Sequence, residues 1–216
     1  MAKHGKVSMA VVRRLPKYHR YLGELMENDI KRISSYELSK LTGFTASQIR
    51  QDFNNFGGFG QQGYGYNVEE LYNQLGNILG LDKGYNTIII GAGNLGQAIA
   101  NYRNFDNRGF RLIGIFEKNP RYMGLKIRDI PIMDIDELEG FSKDHKVDIA
   151  VITTPKEAAQ EIADRVIALG VEAIWNFAPV DIKVPEGIVV ENVHLSESLL
   201  ALSFLIKESK RESENV

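Results

Sequence analysis

Two hydrophobic rhythms divide the chain. Up to about residue 56 apolar positions return at helical spacing, and Val11, Leu15, Tyr18, Tyr21, Leu22 and Leu25 line up as one stripe of a first helix. A second helix is expected from Ser34, where Ser34 and Glu37 have capping-box spacing and Tyr36, Leu38 and Leu41 supply the buried face. After Gly43 the same spacing recurs in Thr45 and Gln48, opening a third helix through Ile49, Phe53 and Phe56. Two short helices joined by a tight turn with glycine make a helix-turn-helix pattern. The following GGFGQQGYGYN (57–67) has too many glycines for a helix interior, where each costs ~1 kcal/mol. It reads as a flexible linker or as a two-stranded wing in which Phe59, Tyr64 and Tyr66 pack while the glycines turn. Its place directly behind a helix-turn-helix favours the wing. A helix over about 68–79, with Leu71, Leu75 and Ile78 on one face, leads onward.

From residue 85 the rhythm changes to short β-branched runs: TIIIG (87–91), RLIGIFE (111–117), VDIAVITT (147–154), EAIWNFA (172–178) and GIVVENV (187–193), with IPIM (130–133) as an additional short strand. Helical segments over 95–105, 135–144 and 156–169 alternate with them. Strands of nearly continuous apolar residues alternating with helices predict an α/β unit, a doubly wound parallel sheet covered on both faces. The segment LSESLLALSFLI (195–206) is a helix with Leu199, Leu200, Leu202, Phe204, Leu205 and Ile206 around most of its circumference. No single core stripe accommodates them all, so the helix is either deeply buried or packed on another subunit. The polar tail from Lys207 is expected to fray.

Length and charge narrow this picture. At 216 residues the chain holds between one and two domains, too little for a nucleotide-binding domain plus a full-size catalytic one, which needs about 300 residues. No apolar run approaches the ~18–20 residues that span a membrane, and the basic N-terminus lacks the apolar stretch of a signal peptide. The absence of cysteine excludes disulfides, a thiol nucleophile and thiolate metal sites, and makes the cytoplasm the expected location. A net charge of −2 conceals an asymmetry: residues 1–56 carry ten Lys/Arg against five Asp/Glu. A basic head on an acidic body suits a polyanion, although a solvated face would also carry it.

The chemistry-bearing motif is Gly91-Ala92-Gly93-Asn94-Leu95-Gly96, set between a strand and a helix. In that context Gly91 permits the tight turn and Gly93 lets backbone approach a pyrophosphate. Gly96 lets the helix pack close to the strand, and the helix N-terminus offers its free N–H groups. The arrangement is Rossmann-type. Glu117, 21 residues past Gly96, ends the second strand and would bond an adenosine ribose while repelling a 2′-phosphate, favouring NAD(H), with Lys118 beside it. Two later strand ends face the same crevice: ITTP with Thr153, Thr154 and Pro155, and NFAP with Asn176, Phe177 and Ala178. Asn176 either bonds a nicotinamide carboxamide or, like Thr153, caps the following segment. A hydride-transfer enzyme needs an acid or base beside the nicotinamide and a substrate pocket. Of the four histidines, His194 alone follows a strand end, and no pair of His, Asp or Glu has metal-ligand spacing. No small-molecule substrate and no metal are expected, and the dinucleotide is better read as a signal than as a reagent.

Taken together, ASQIRQDFNNFGGFGQQGYGYNV (46–68), IIGAGNLGQAIANY (89–102), NFAPV (176–180) and VENV (190–193) closely resemble the redox-sensing transcriptional repressor Rex family, over roughly residues 10–207. The resemblance implies a homodimer that binds palindromic operator DNA at low NADH and releases it when NADH rises. It implies a winged-helix DNA-binding domain over 1–80, a Rossmann NAD(H)-binding domain over 81–193, and a last helix and tail over 194–216 swapped onto the partner. Carried over by position, residues 46–56 match the recognition helix with Arg50 at a DNA-contacting position, and residues 57–66 match the wing. On that basis Thr45, Ser47, Gln48, Arg50, Gln51 and Asn54 are expected at the major groove, where Arg and Gln pair with guanine and adenine. Arg13, Arg14 and Lys17, with Phe59, Gln61, Gln62 and Tyr64, would hold phosphates and the minor groove. Tyr102 matches a tyrosine that reports on the nicotinamide, Arg20 an arginine coupling the domains, and His194 stands where some relatives have Asp. Gln51 stands where many have Lys. The competing expectations are a small NAD-dependent oxidoreductase with an accessory helical domain, and a CoA-binding module like that of acyl-CoA synthetase subunits.

Overall fold

The computed structural model describes residues 7–60 and 64–214, with side chains in the last helix described as far as residue 211, and the chain divides into two units at residue 83. The first unit begins with α1 (Met9–Val12) and α2 (Leu15–Glu27), two pieces where the apolar stripe predicts one helix. The interruption falls at Pro16, which has no N–H for the Val12 carbonyl and whose ring excludes a preceding helical turn. Then come β1 (Arg32–Ile33), α3 (Ser35–Thr42), α4 (Ala46–Asn54), β2 (Tyr66–Asn67) and α5 (Val68–Ile78). The capping box before α3 is complete: Ser34 Oγ accepts from Glu37 N at 3.1 Å and Glu37 Oε2 accepts from Ser34 N at 2.8 Å. Before α4 half of the expected box is made, Thr45 Oγ1 accepting from Gln48 N at 3.1 Å.

Leu15, Tyr18, Leu22, Leu38, Ile49, Phe53, Leu71 and Leu75 meet in one core, where the Tyr18 and Phe53 rings lie edge to face at 5.1 Å. The buried face of α3 is Leu38 with Thr42. Tyr36, about 200° around the helix from Leu38, is 62% exposed and Leu41 lies on the rim, so the expected trio does not pack together. Ile78, the last residue of α5, is also exposed. Part of the expected ribbon, residues 61–63, lies outside the described residues; within the described ones β2 pairs antiparallel with β1, Ile33 opposite Tyr66. Tyr66 is buried edge-on against Phe53, and Phe59 packs on the same ring at 5.7 Å. Tyr64 is exposed and covers no core.

The second unit runs β3 (Tyr85–Ile90), α6 (Asn94–Asn101), β4 (Phe110–Glu117), β5 (Lys126–Ile127), β6 (Ile130–Asp134), α7 (Leu138–Asp144), β7 (Ile149–Ile152), α8 (Lys156–Ala168), β8 (Ala173–Asn176), β9 (Val189–Asn192) and α9 (Leu195–Glu214). The helix expected over 95–105 stops at Asn101 because Tyr102 takes a non-helical backbone (ψ 87°), and Arg103–Arg108 continues as a 3-10 turn. The seven strands are ordered β5-β6-β4-β3-β7-β8-β9, all parallel except β5, which is antiparallel to β6. At two residues β5 is too short to carry a period. Successive isoleucines of β3 point to opposite faces: Ile88 and Ile90 join Leu138, Ala159 and Val166 beneath α7 and α8, while Ile89 joins Ile115, Val151 and Ala100 toward α6.

Helices lie on both faces, as the apolar strands predict, and on the second face the cover beside α6 is partial. A groove of about 390 Å³ remains, lined by Ile89, Leu112, Val151, Trp175 and their neighbours. Meanwhile α9 leaves its apolar residues in solvent from Leu195 to Ile206, Leu200 at 70% exposure. Among the described residues no helix is long and apolar enough to cross a membrane.

Candidate functional site

Helix α4 is amphipathic with a sharp division. Ile49, Asp52 and Phe53 turn inward, which brings Ser47, Arg50, Gln51 and Asn54 onto one exposed stripe at the complementary i, i+3, i+4, i+7 positions. Arg50 rests its Nη1 on Ser35 Oγ at 2.9 Å, a contact from the first residue of α3. Thr45 has its hydroxyl oxygen engaged as the cap of α4, and Gln48 is half-buried. The stripe is a surface of amide and guanidinium donors, the groups that read base edges.

The three basic residues expected beside it differ. Arg13 is exposed, and Lys17 places Nζ 5.0 Å from the Phe44 ring centre. Arg14 faces inward: Nε donates to Asp52 Oδ2 and Nη2 to Oδ1, both at 2.7 Å, so those donors are taken from any phosphate. Tyr18 donates its hydroxyl to Asp52 Oδ2 at 2.7 Å; burial, then this bond, holds the phenol in its protonated form. The bond to Asp52 likewise raises the Arg14 guanidinium above its ordinary value. In the ribbon region Phe59 is drawn into the core, while Arg32 Nη1 donates to the Tyr64 carbonyl at 3.2 Å. Gln61 and Gln62 lie outside the described residues.

In the second unit the glycine turn is built by close approach. Gly91 has φ 103°, and a Cβ there would lie 2.9 Å from the Thr153 carbonyl. A Cβ on Gly96 would lie 1.9 Å from the Gly91 carbonyl, an impossible contact, so the helix–strand crossing admits no side chain. Thr153 Oγ1 donates to that same carbonyl at 2.7 Å and Gln97 Nε2 to the Ala92 carbonyl at 2.7 Å. By contrast a Cβ on Gly93 would meet nothing within 4 Å: backbone is open here, at the N-cap of α6, where Asn94 and Leu95 begin the helix. Glu117 Oε2 accepts from Ala92 N at 2.7 Å and Oε1 from Lys118 N at 2.7 Å, tying the turn to the end of β4. The Thr154 hydroxyl is buried without a partner ahead of Pro155, which precedes α8. Open backbone at a helix N-terminus, a carboxylate at the second strand end and an unpartnered hydroxyl fit a dinucleotide pyrophosphate and ribose.

Asn176 resolves differently from its ligand reading. Nδ2 donates to Val180 O at 2.7 Å and to Asn192 Oδ1 at 2.8 Å, and Oδ1 accepts from Ala178 N at 3.0 Å. One amide proton closes the loop on Val180 and the other ties it to Asn192 on β9, which leaves none for a carboxamide; Phe177 packs on Trp175 at 4.6 Å. Tyr102 stands exposed, edge-on to Phe105 at 4.8 Å. His194 Nε2 lies 2.8 Å from Asp181 Oδ1, and that bond raises the imidazole above its ordinary value. Arg20, in the first unit, lies over the Tyr21 ring at 4.7 Å. Sequence reasoning missed Asp52, Gln97, Asn192 and Asp181. Only Asp52 carried a signal, an acid on the apolar stripe of a helix facing a basic one. Among the described residues no group of three or more His, Asp or Glu is gathered for a metal.

Two family models match the chain: one described as CoA binding domain over residues 82–180, the other as putative DNA-binding protein N-terminus over residues 6–54. The chain is 64% identical over 210 residues to the redox-sensing transcriptional repressor Rex of Thermoanaerobacter pseudethanolicus, covering 97% of this chain and 94% of that one. Among solved structures it is similar to RSP, a Rex-family repressor. The crystal structure of RSP in complex with β-NAD+ and operator DNA matches with a TM-score of 0.90 at 62% identity, covering 97% of each chain. RSP in complex with β-NADH matches with a TM-score of 0.90 at 59% identity, covering 98% of this chain and 100% of that one.

Proposed function

The chain belongs to the Rex family of redox-sensing transcriptional repressors, and from that premise we propose how its residues divide the work. It is a regulator and not an enzyme: a repressor that binds operator DNA and responds to NADH. In our reading residues 1–80 hold the DNA, residues 81–193 hold the dinucleotide, and residues 194–216 join two copies. The observation that carries the reading is the exposed stripe of α4, where Ser47, Arg50, Gln51 and Asn54 stand together over a rigid core.

Arg50 and Gln51 read base edges, each bidentate pair contributing about 1–3 kcal/mol of discrimination. Arg13, Lys17 and the ribbon hold phosphates. At the glycine turn the open backbone around Gly93, with the α6 N-terminus, receives the pyrophosphate, and Glu117 the adenosine ribose. The bound dinucleotide supplies a nicotinamide whose charge and ring planarity differ between its oxidised and reduced forms. Tyr102 and His194 are the residues we assign to sensing that difference, and Arg20 the residue we assign to coupling it to DNA binding. A second copy completes the molecule. The helix α9 has no stripe it can bury on its own unit, and the sheet face keeps an apolar groove; we read the groove as the seat of the partner's α9. The cytoplasm, where operator DNA and NADH meet, is the proposed location.

Fluorescence anisotropy on a labelled palindromic operator, titrated first with NADH and then with NAD+, tests the reading. Release by NADH with little release by NAD+ is expected. Tight binding indifferent to both would mean the second unit senses something else, and absence of any sequence-specific binding would return the oxidoreductase. Sedimentation of the full chain against a copy ending before Leu195 tests the role of α9: a dimer and a monomer, respectively, are expected.

A further inference from the structure

Asp52 is the buried charged group that the DNA-binding role leaves unused. It follows Gln51 and Arg50 on α4, yet it is 1% exposed. Its two oxygens are filled from the other side of the core: Arg14 spans both at 2.7 Å and Tyr18 adds a third bond at 2.7 Å. Phe44 walls this cluster, its ring edge-on to Tyr18 at 5.5 Å and below Arg14 at 5.8 Å. Stability does not require such an arrangement, since well-packed apolar residues commonly replace a buried ion pair without loss. What an apolar patch lacks is direction. Ile49 and Phe53 let α4 slide or roll, whereas a bidentate fork admits one geometry.

The consequence for the opposite face is geometric. Residues on a helix are about 100° apart, so an anchor at Asp52 sets the direction of Gln51 and Arg50 on the outer side. A roll of ~20° moves side-chain ends by about 2 Å at a helix radius of ~5–6 Å. Hydrogen bonds tolerate a spread of about 0.5 Å, so such a roll breaks bidentate base contacts and spares flexible phosphate contacts. We propose that Asp52, gripped by Arg14 and Tyr18, is a positioning residue that sets the roll of α4 and so the base discrimination of Arg50 and Gln51. This rests on α4 being the element that reads the operator.

The test measures full-length protein on operator and on a scrambled duplex of equal length at one salt concentration, with hydrogen exchange of the buried Leu22, Ile49 and Leu71 amides of the first unit as the fold control. Asp52→Asn keeps the shape and loses the fork. Operator affinity is expected to fall at least tenfold, while affinity for the scrambled duplex stays within twofold. Should that variant fail to fold, the apolar pair R14M/D52L, which leaves net charge unchanged, is expected to fold and to show the same collapse of the operator-to-scrambled ratio. Either folded variant retaining the wild-type ratio would overturn the proposal, as would an equal fall on both duplexes. Arg50→Ala separates the two levels. A collapsed ratio there beside an intact ratio in the Asp52 variants sinks the positioning role alone; intact ratios in all three sink the reading of α4 itself.

Discussion

The two units hold their working surfaces by opposite means. In the first, α4 is fixed through side chains, a carboxylate clasped by Arg14 and Tyr18. In the second, the glycine turn is set by the close backbone approach of Gly91 and Gly96, to which the side chains of Thr153, Gln97 and Glu117 add bonds with main-chain atoms. A surface held by side chains fails when a partner is removed. One held by backbone contact fails when an atom is added.

The contrast sharpens most at Gly96. Gly96→Ala places a methyl where the Gly91 carbonyl already lies, and calorimetry is expected to find NADH binding lost; operator binding should persist and cease to respond to NADH. If operator binding disappears with it, the two surfaces are not held independently. In the first unit the sensitive change is a deletion. Asp52→Ala strands the Arg14 guanidinium, whose side chain is 17% exposed, and chemical denaturation should find that unit destabilised by about 3 kcal/mol, the low end for a broken buried pair. A neutral cluster should cost less: Asn176→Ala leaves the Ala178 N–H and the Val180 carbonyl without their partner, and a loss of about 1–3 kcal/mol is expected in the same measurement. A smaller effect belongs to Ser35→Ala, which frees Arg50 from an exposed hydrogen bond; about 0.5 kcal/mol, roughly twofold in operator affinity, is expected.

The last prediction concerns pH. The bond to Asp181 raises the His194 imidazole above 6.5, so the contribution of the pair is complete below that value and is lost as pH climbs through the raised one. NMR titration should find His194 titrating above 6.5, and Asp181→Asn should bring it down; an unchanged titration would remove the pair as a source of pH dependence.

The same contrast explains what could be read from the chain alone. Backbone-held features leave compositional marks: Gly91, Gly93 and Gly96 announce their turn, and β-branched runs announce strands whose register then follows. Capping at Ser34 is visible because one residue pair makes it. Features made by distant side chains leave almost none. Nothing at Asn176 names Asn192 as its partner, nothing at His194 names Asp181, and Arg14 looks like any other cation until Asp52 is seen across the core. The pairing of β2 is hidden for a related reason: it joins a strand 33 residues or more upstream, a contact that local glycine content cannot indicate.

The position of α9 also has a meaning in time. Chains fold from the N-terminus as they are made, and α9 follows every strand of the sheet in chain order. The sheet can therefore assemble, with its apolar groove uncovered, while α9 is still being translated. Each new chain passes through an interval in which a groove and then a free apolar helix are both on offer to whatever is nearby. How fast the message is read, and how many copies are being made side by side, thus bear on whether the chain matures or aggregates.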